Sequence, residues 1–290
     1  MYFRHSLPIV LALLTFGAML PGCTLSRAAY GYVQSPENLP KISVNFPIYA
    51  EKGAESMAGA ISAALPTSIQ RIETTHGGKF DSLPAIIVCA TEACYQHYTV
   101  IPGTAAETLR NKRITINGEK ILNEKRDAVQ LFTHELSHHY WGSQGVGFQP
   151  RWFEEGLAVW VSNGGGAENV SVQAAEQAIR TGTTIHPTLN SGLWNYLTQT
   201  QSPPENNWHM YYRQAGMFVQ YLHDSDPIAF THLLEALRTT KDLQQAWPIA
   251  YKQNLDELWS QFVKEIQDKS TEQNRRKGAR LGLPREWQKR

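Results

Sequence analysis

The stretch that most constrains the fold is THELSHHYWG, at residues 133–142. His134 and His138 are four residues apart, so an α-helix would place them about one turn apart on the same face. Two imidazoles at this spacing can bind one metal ion, and Glu135 lies where it can reach a water without becoming a ligand. The same residues also suit an amphipathic helix without a metal. The pattern therefore predicts a helix and leaves the metal open.

We expect this helix to begin at Asn123, which can cap it, and to have distinct faces. One arc is apolar and is expected to face the core: Ala128, Val129, Phe132, Leu136 and Tyr140. A second arc is expected to be solvated: Gln130, Thr133 and Ser137. His139 falls within the apolar arc, which favours a packed, hydrogen-bonded histidine over a third ligand.

The composition favours a globular chain that does not bind nucleic acid. The 290 residues are 42% hydrophobic, which is typical of a folded chain rather than a disordered one. The formal net charge is only +1, so the chain as a whole has no electrostatic attraction for nucleic acid.

Residues 1–22 have the composition of a bacterial export signal peptide. A basic start precedes an apolar run at residues 7–20, which is too short to span a bilayer. The LPGC that ends at Cys23 resembles a lipobox, where signal cleavage leaves a lipidated cysteine. This resemblance implies a lipid-anchored protein of the bacterial cell envelope, and Thr24 favours the outer membrane, facing the periplasm. The alternative is a plain secretory signal with an incidental cysteine.

Two cysteines remain beyond Cys23, and both lie in the segment VCATEACY. In an oxidising compartment, Cys89 and Cys94 are expected to form one disulfide that closes a small loop. Two free or buried thiols are the alternative. A zinc site here is disfavoured because His97 is the only additional ligand nearby.

The chain is predicted to be α+β, with a small mixed N-terminal sheet subdomain followed by a mostly helical one. Residues 23–39 are expected to form a tether, and residues 40–268 the folded domain. Its α/β part is expected at 40–122 and its helical part at 123–268. Residues 269–290 form a basic tail, either solvated or in contact with an anionic membrane surface.

Local patterns give the elements of the α/β part. Strands are expected within residues 41–50, 83–90 and 112–121. The last of these is either a strand or a small hairpin around its Asn117-Gly118 pair. A helix over 51–74 is expected to be interrupted at Pro66.

A third ligand is offered by the segment PRWFEEGLAVWVSN, which follows the histidines. Together with HELSHHYWG it resembles the gluzincin metallopeptidases, the thermolysin-like, peptidase MA-like clan that includes the zinc aminopeptidases. Their pattern is HExxH followed by a glutamate in a W-x-x-E-G-x-A context. The resemblance implies that His134, His138 and Glu155 bind one Zn²⁺ per chain and that Glu135 is the general base.

Two neighbours of Glu155 carry further expectations. Gly156 is expected to let a neighbouring helix come close, because it has no side chain. Glu154 lies one residue too early to match the family's ligand. It is expected to be a solvated carboxylate or one just outside the ligand set.

Residues 211–222, YYRQAGMFVQYL, resemble the aminopeptidase segment in which a tyrosine begins a helix and stabilises the transition state. The ungapped match falls on Tyr212, with Tyr211 as a competitor. The glycine that follows the tyrosine in the family is displaced here to Gly216. An aromatic residue on a core helix is the alternative interpretation. The resemblance as a whole extends over about residues 134–222.

By this resemblance the chain would hydrolyse peptide bonds in the cell envelope, with Glu135 acting as general base on a zinc-bound water. The expected partners are a peptide or protein substrate and, through the lipid on Cys23, the membrane. A strand near 112–121 could present an edge to an extended peptide. The G-x-M-E-N segment that grips a free amine in aminopeptidases is not found, so endopeptidase and aminopeptidase activity both stay open. The alternative is a catalytically silent lipoprotein that acts as a binding or scaffolding module.

Overall fold

The computed structural model describes residues 22–110, 112–198 and 207–280, with the backbone alone at 22–25, 197–198 and 270–280. Two predicted features lie wholly or largely outside the described residues: the signal peptide and the basic tail at 269–290. The Pro203-Pro204 pair, which predicts a loop, also lies outside them. The side chain of Cys23, the predicted lipidation site, also lies outside them.

The fold is α+β, as predicted. The chain divides into two compact units, one made of residues up to 62 and 84–125, the other of 63–83 and the residues from 126 onward. The first unit contains the only sheet of the described chain, and the second is helical. Within the described chain, no helix combines the length and the apolar character needed to cross a bilayer.

The elements of each unit follow in chain order. The first unit contains α1 (Gly22–Val33), β1 (Ile48–Ala50), the first part of α2 (Glu55–His76), β2 (Ala85–Cys89), α3 (Glu92–Tyr98), β3 (Ala106–Leu109), β4 (Arg113–Asn117) and α4 (Gly118–Asn123). The second unit contains the rest of α2, α5 (Ala128–Ser143), α6 (Arg151–Val161), α7 (Val172–Arg180), α8 (Leu193–Thr198), α9 (Trp208–Ser225), α10 (Pro227–Thr240), α11 (Leu243–Ala250) and α12 (Leu255–Arg280).

The four strands lie in the order β1-β2-β4-β3. β1, β2 and β4 are parallel, with Ile86 opposite Ile48 on one side and Ile114 on the other, and β3 runs antiparallel to β4. All three isoleucines are fully buried, and Ile86 and Ile114 lie on the inner strands β2 and β4, where buried β-branched residues are usual. The strand expected within 112–121 is therefore central, and the expectation that it offers an edge to a peptide is wrong. Strand β3, which was not predicted, pairs along that side of β4.

The Asn117-Gly118 pair caps a helix and does not turn a hairpin. The Asn117 side chain accepts a hydrogen bond from the backbone N–H of Lys120 at 3.1 Å, so it is the N-cap of α4. A Cβ on Gly118 would lie 2.5 Å from the carbonyl oxygen of Cys89, so the glycine allows α4 to start against β2. The hairpin alternative is wrong because the residues after Asn117 continue into a helix, α4, that starts against the carbonyl of Cys89.

Cys89 and Cys94 form a disulfide, with an S–S distance of 2.02 Å. Cys89 ends β2 and Cys94 lies in the first turn of α3, so the bond fastens the helix to the end of the strand. Cys89 also belongs to an apolar cluster with Ile87, Tyr95 and Tyr98.

The segment expected to be a tether, residues 23–39, is helical over most of its length. Arg27 of α1 donates hydrogen bonds to the carbonyls of Gln96 and Val100, both at 3.1 Å, and Tyr30 Oη lies 3.1 Å from His97 Nδ1. The segment is therefore packed on the unit and does not extend freely. The Ser, Pro and Asn residues typical of a tether are concentrated after the helix, at 35–40.

Two expected helix boundaries are wrong. α2 continues through Pro66, because burial of Leu65 and Ile72 on this helix, about 1.5–3 kcal/mol each, offsets a cost of about 3 kcal/mol for an internal proline. α5 begins at Ala128 and not near Asn123, because the Asp127 carboxylate accepts hydrogen bonds from the first free N–H groups of the helix, at 2.9 Å.

Arg113 is a buried cation that fastens the end of α1 to the first unit. Its side chain is 1% exposed on β4. The guanidinium donates to the carbonyls of Tyr98 and Gln34 at 3.1 Å, to that of Tyr32 at 3.3 Å and to that of Gly31. A buried arginine is tolerated here because several backbone acceptors satisfy its donors.

We expect Arg113→Met to destabilise the first unit by about 3 kcal/mol, because buried carbonyls would lose their donors while apolar volume is retained. Urea unfolding followed by circular dichroism measures this loss. The matched control is Lys52→Met, which removes an exposed cation from the same unit. Equal unfolding midpoints for the two variants would contradict the expectation.

Candidate metal centre

The three predicted ligands converge on one point in the second unit. His134 and His138 lie one turn apart on α5, and Glu155 reaches them from α6. Glu155 Oε2 lies 3.2 Å from His134 Nε2 and 3.5 Å from His138 Nε2, and the two imidazole nitrogens are 3.1 Å apart. Ligands at about 2.0–2.1 Å from a tetrahedral ion are themselves about 3.3–3.4 Å apart. The observed separations are close to those that one shared ion would require, so the group could hold a metal ion.

The orientation of His134 is set by a loop that contains three consecutive glycines. His134 Nδ1 lies 2.8 Å from the carbonyl oxygen of Gly165. Because a carbonyl can only accept, Nδ1 carries the proton and Nε2 presents a lone pair to the other ligands. Metal-binding histidines are commonly held in this way by a second hydrogen bond. A run of three glycines predicts a loop, and it can also signal close backbone approach, but it does not indicate which residue the loop approaches.

The ligands compensate one another's charge. Burial by itself would lower the pKa of His138, but the charge and hydrogen bond of the Glu155 carboxylate raise it above the ordinary value. Burial would raise the pKa of Glu155, but His138 and His134 hold it well below its usual range. The carboxylate is therefore ionised and faces a proton that a bound cation can replace. One anionic oxygen and two imidazole nitrogens form a donor set that suits Zn²⁺.

Glu155 is brought to this point by a close crossing of α6 and α9. A Cβ on Gly156 would lie 2.7 Å from the carbonyl oxygen of Ala215, and one on Gly216 would lie 2.6 Å from Val159 Cγ1. Each helix thus has a glycine where the other passes. The expectation that Gly156 lets a neighbouring helix come close is confirmed, and the displaced Gly216 has the reciprocal role.

Glu154 is buried and has a partner of its own. Its Oε1 accepts a hydrogen bond from the backbone N–H of Gln149 at 2.5 Å. The Gln149 side chain in turn donates to the carbonyl of Lys241 at 3.0 Å and accepts from the N–H of Leu243 at 2.8 Å. Glu154 therefore secures the start of α6 from a position just outside the ligand group.

Tyr212 lies beside the ligands, whereas Tyr211 faces the core. The Tyr212 ring centroid is 6.2 Å from that of His134. Tyr211 is 2% exposed, so its side chain lies in the core. Burial, with the Glu155 carboxylate nearby, raises the pKa of Tyr212 well above its ordinary value. Its phenol therefore keeps its proton and can donate a hydrogen bond.

Glu135 lies within electrostatic reach of both His138 and Tyr212. Its side chain is buried, and its negative charge contributes to raising the pKa of each of these two groups. The group of converging ligand atoms contains His134, His138 and Glu155 but not Glu135. The carboxylate thus stands beside the ligands without belonging to them.

The phenol of Tyr196 also belongs to the site, which the sequence did not indicate. Its Oη donates a hydrogen bond to Glu155 Oε1 at 3.3 Å, while the other carboxylate oxygen faces the imidazoles. Arg151 donates to the Tyr196 carbonyl at 2.9 Å, and its guanidinium lies 4.5 Å from the centre of the Tyr196 ring. No motif connects Tyr196 with the ligands, because the contact depends on the packing of the short helix α8.

The face of α5 that was expected to be solvated is covered by α2. Thr133 and Ser137 are 5% and 1% exposed. Thr133 Oγ1 shares a hydrogen bond with Ser68 Oγ at 2.8 Å, and Ser137 Oγ lies 2.9 Å from His76 Nε2. The expectation was wrong because small hydroxyl side chains can be buried when another helix supplies their partners.

His139 is a packed histidine, as predicted. It is 1% exposed, its Nε2 donates to the carbonyl of Ser82 at 3.0 Å, and its ring stacks on Phe80. Burial lowers its pKa, so the imidazole is neutral. It supports the packing of α5 and does not belong to the converging group of ligand atoms.

Comparison with known proteins identifies no relative. No family model matches the chain, and no curated protein and no solved structure matches it significantly. The assignment of the site therefore depends on the geometry above and on the resemblance of its two motifs.

His76, behind the ligand helix, makes the second unit sensitive to acid. It is fully buried, and burial together with the charge of Arg238 lowers its pKa to about 3. In the unfolded chain the imidazole has its ordinary pKa of 6.5. As the pH falls below that value the unfolded state binds the proton first, so stability is lost progressively down to about pH 3. At pH 5 this loss is about 2 kcal/mol.

We expect His76→Gln to lose less stability than the wild type between about pH 7 and pH 5, because glutamine binds no proton. Urea unfolding at several pH values in this range measures the difference. His232→Gln, at an exposed position, is the matched control and should keep the wild-type pH dependence. A wild-type pH dependence in His76→Gln would exclude this histidine as the acid-sensitive group.

Proposed function

We propose that this protein is a zinc-dependent peptidase of the gluzincin type that hydrolyses peptide bonds in the bacterial cell envelope. The observation that carries the proposal is the convergence of His134, His138 and Glu155 at distances that suit one shared ion. Glu135 and Tyr212 stand beside these ligands, so a base and a hydrogen-bond donor accompany the donor set.

The donor set supports a catalytic site rather than a closed structural one. Structural zinc sites usually have four protein ligands, whereas catalytic sites have three and keep one position open. Among the described residues, the converging group contains three side chains. Zinc held by them would supply Lewis acidity at the reacting carbonyl and at the attacking water.

The chain's own residues would divide the remaining tasks. Glu135 would accept the proton of the attacking water and deliver it to the leaving amine. Tyr212, whose phenol keeps its proton, would donate a hydrogen bond to the oxyanion of the tetrahedral centre. Tyr196 would keep the Glu155 carboxylate in orientation by holding the oxygen that the imidazoles do not face.

The proposed substrate is a peptide or protein of the envelope, because the predicted export signal and the lipobox at Cys23 direct the chain to that compartment. The lipid on Cys23 would attach the protein to the membrane without a transmembrane helix. The choice between endopeptidase and aminopeptidase can be tested with peptides whose amino terminus is free or acetylated.

The first test combines metal content with hydrolysis, using the exported chain with Cys23→Ser to prevent lipidation. We expect one zinc per chain in this protein and in Glu135→Gln, and loss of zinc in Glu155→Ala. Only the protein with both glutamates should hydrolyse unfolded casein, because Glu135 acts on protons and Glu155 on the metal. Mass spectrometry of the native protein gives the metal content.

Two results would oppose the proposal. Full zinc content in Glu155→Ala would exclude Glu155 as a ligand. Zinc bound by a protein that hydrolyses neither casein nor a panel of peptides would favour a binding or scaffolding module.

The tyrosine assignment has its own test. Tyr212→Phe should lower kcat by about 100-fold with little change in KM, because one oxyanion donor is typically worth about 3 kcal/mol in the transition state. Tyr211→Phe is the matched control, since it removes the same atom one residue earlier from a core position. It should lower stability and leave kcat nearly unchanged. The reverse pattern would transfer the role to Tyr211.

A further inference from the structure

We infer that Arg213 is a positioning residue for the metal centre and acts on His134 through residues 164–170, here called the glycine loop. The inference rests on the proposed function only in taking His134 as a metal ligand. Arg213 does not touch the ligands. It holds the backbone that holds His134.

The glycine loop contacts the ligand helix directly. Its Gly165 carbonyl accepts the Nδ1 hydrogen of His134 at 2.8 Å. A Cβ on Gly165 would lie 2.3 Å from the carbonyl oxygen of Gln130, and one on Gly166 would lie 2.8 Å from His134 Cε1. The loop can therefore reach His134 only as bare backbone, and the glycines that make this contact have no side chains that could fix their position.

Arg213 supplies that fixation from α9. Its Nε donates to the carbonyl of Val170 at 2.8 Å, and its Nη2 donates to that of Ala167 at 3.0 Å. The guanidinium also lies against the start of the loop, where a Cβ on Gly164 would be 2.8 Å from it. One planar group thus spans the loop from its first residue to its last.

The loop is itself a pair of consecutive tight turns. The N–H of Ala167 donates to the carbonyl of Gly164 at 3.0 Å, and the N–H of Val170 donates to that of Ala167 at 3.1 Å. Arg213 therefore binds the carbonyls of Ala167 and Val170, the two residues whose N–H groups close these turns. A shift of the guanidinium would move the turns, and with them the Gly165 carbonyl.

An ion pair holds the same loop from another side. Arg126 and Glu168 lie 3.0 Å apart, with side chains only 9% and 14% exposed. Arg213 differs from this pair by its place in the chain, directly after Tyr212. Consecutive residues of α9 therefore carry the phenol that faces the ligands and the cation that fixes the orientation of His134.

The chemistry of the contact requires a guanidinium. Two carbonyls are bound by two N–H groups in one rigid plane, whereas the ammonium group of a lysine is a point charge on a flexible stem. Without the clamp the Gly165 carbonyl would no longer hold the proton on Nδ1 of His134. The tautomer with the proton on Nε2, which cannot bind the metal through the nitrogen that faces the other ligands, would then be accessible. Loss of such an outer hydrogen bond typically weakens metal binding by about 10–100-fold.

The test compares Arg213→Gln and Arg213→Lys with the parent protein carrying Cys23→Ser. We expect the Kd for zinc, measured by competition with a chromophoric chelator, to rise by about 10–100-fold in both variants. We also expect a changed visible spectrum of the Co²⁺-substituted protein, because that spectrum reports ligand geometry and not overall stability. Lysine should fail to restore either property.

The matched control is Arg180→Gln. Arg180 also belongs to the second unit, and it bonds Glu176 on its own helix at 2.8 Å instead of the loop carbonyls. Its variant should bind zinc with the parent Kd and show the parent Co²⁺ spectrum. The melting temperature of each metal-free variant separates a general loss of stability from an effect on the site.

Three results would overturn the inference. The first is a zinc Kd in Arg213→Gln within about twofold of the parent value. The second is full recovery in Arg213→Lys, which would reduce the effect to charge alone. The third is an unchanged Co²⁺ spectrum. Failure of the parent protein to bind zinc or Co²⁺ would overturn the proposed metal centre as well, so the two failures are distinguishable.

Discussion

The close crossing of α6 and α9 is the constraint on which the metal centre depends. Neither Gly156 nor Gly216 has a Cβ, so the two backbones pass at a separation that side chains would prevent. These helices carry Glu155 and Tyr212, and their crossing therefore sets the width of the site. A methyl group at either glycine would displace a backbone carbonyl or a buried valine, and the shift would pass to the ligands.

Each unit buries one strongly polar centre and satisfies it in a different way. In the first, the Arg113 guanidinium is enclosed by backbone carbonyls, which cannot leave and cannot titrate. In the second, the Glu155 carboxylate divides its oxygens between two imidazoles and the phenol of Tyr196. An unpaired buried ion costs several kcal/mol, so both arrangements are necessary. Only in the second unit does the buried group face a proton, on the imidazoles beside Glu155, that a metal cation could replace.

Helical spacing explains which parts of the site could be predicted from the sequence. His134 and His138 share a face as soon as their segment is a helix. The pair Glu155-Gly156 was likewise recognisable from the local sequence of its own helix. Burial of the hydroxyl face of α5 depends on partners from α2, 65 residues away in one case, and no periodicity shows them. The Asn117-Gly118 pair suits a hairpin or a helix cap, and only the neighbouring carbonyl of Cys89 decides. Tyr196 and the glycine loop reach the site through packing of segments without periodic patterns.

Helix α1 leaves only a short segment between Cys23 and the first residue that is bonded to the rest of the first unit. It begins at Gly22, and Arg27 is already bonded to the carbonyls of Gln96 and Val100. The four helical steps from Cys23 to Arg27 span about 6 Å. A lipid on Cys23, added as we propose, would hold the first unit at the level of the headgroups. Encounters with a substrate that is also held at the membrane would then become a search in two dimensions, in which diffusion within the bilayer and crowding at its surface set the rate.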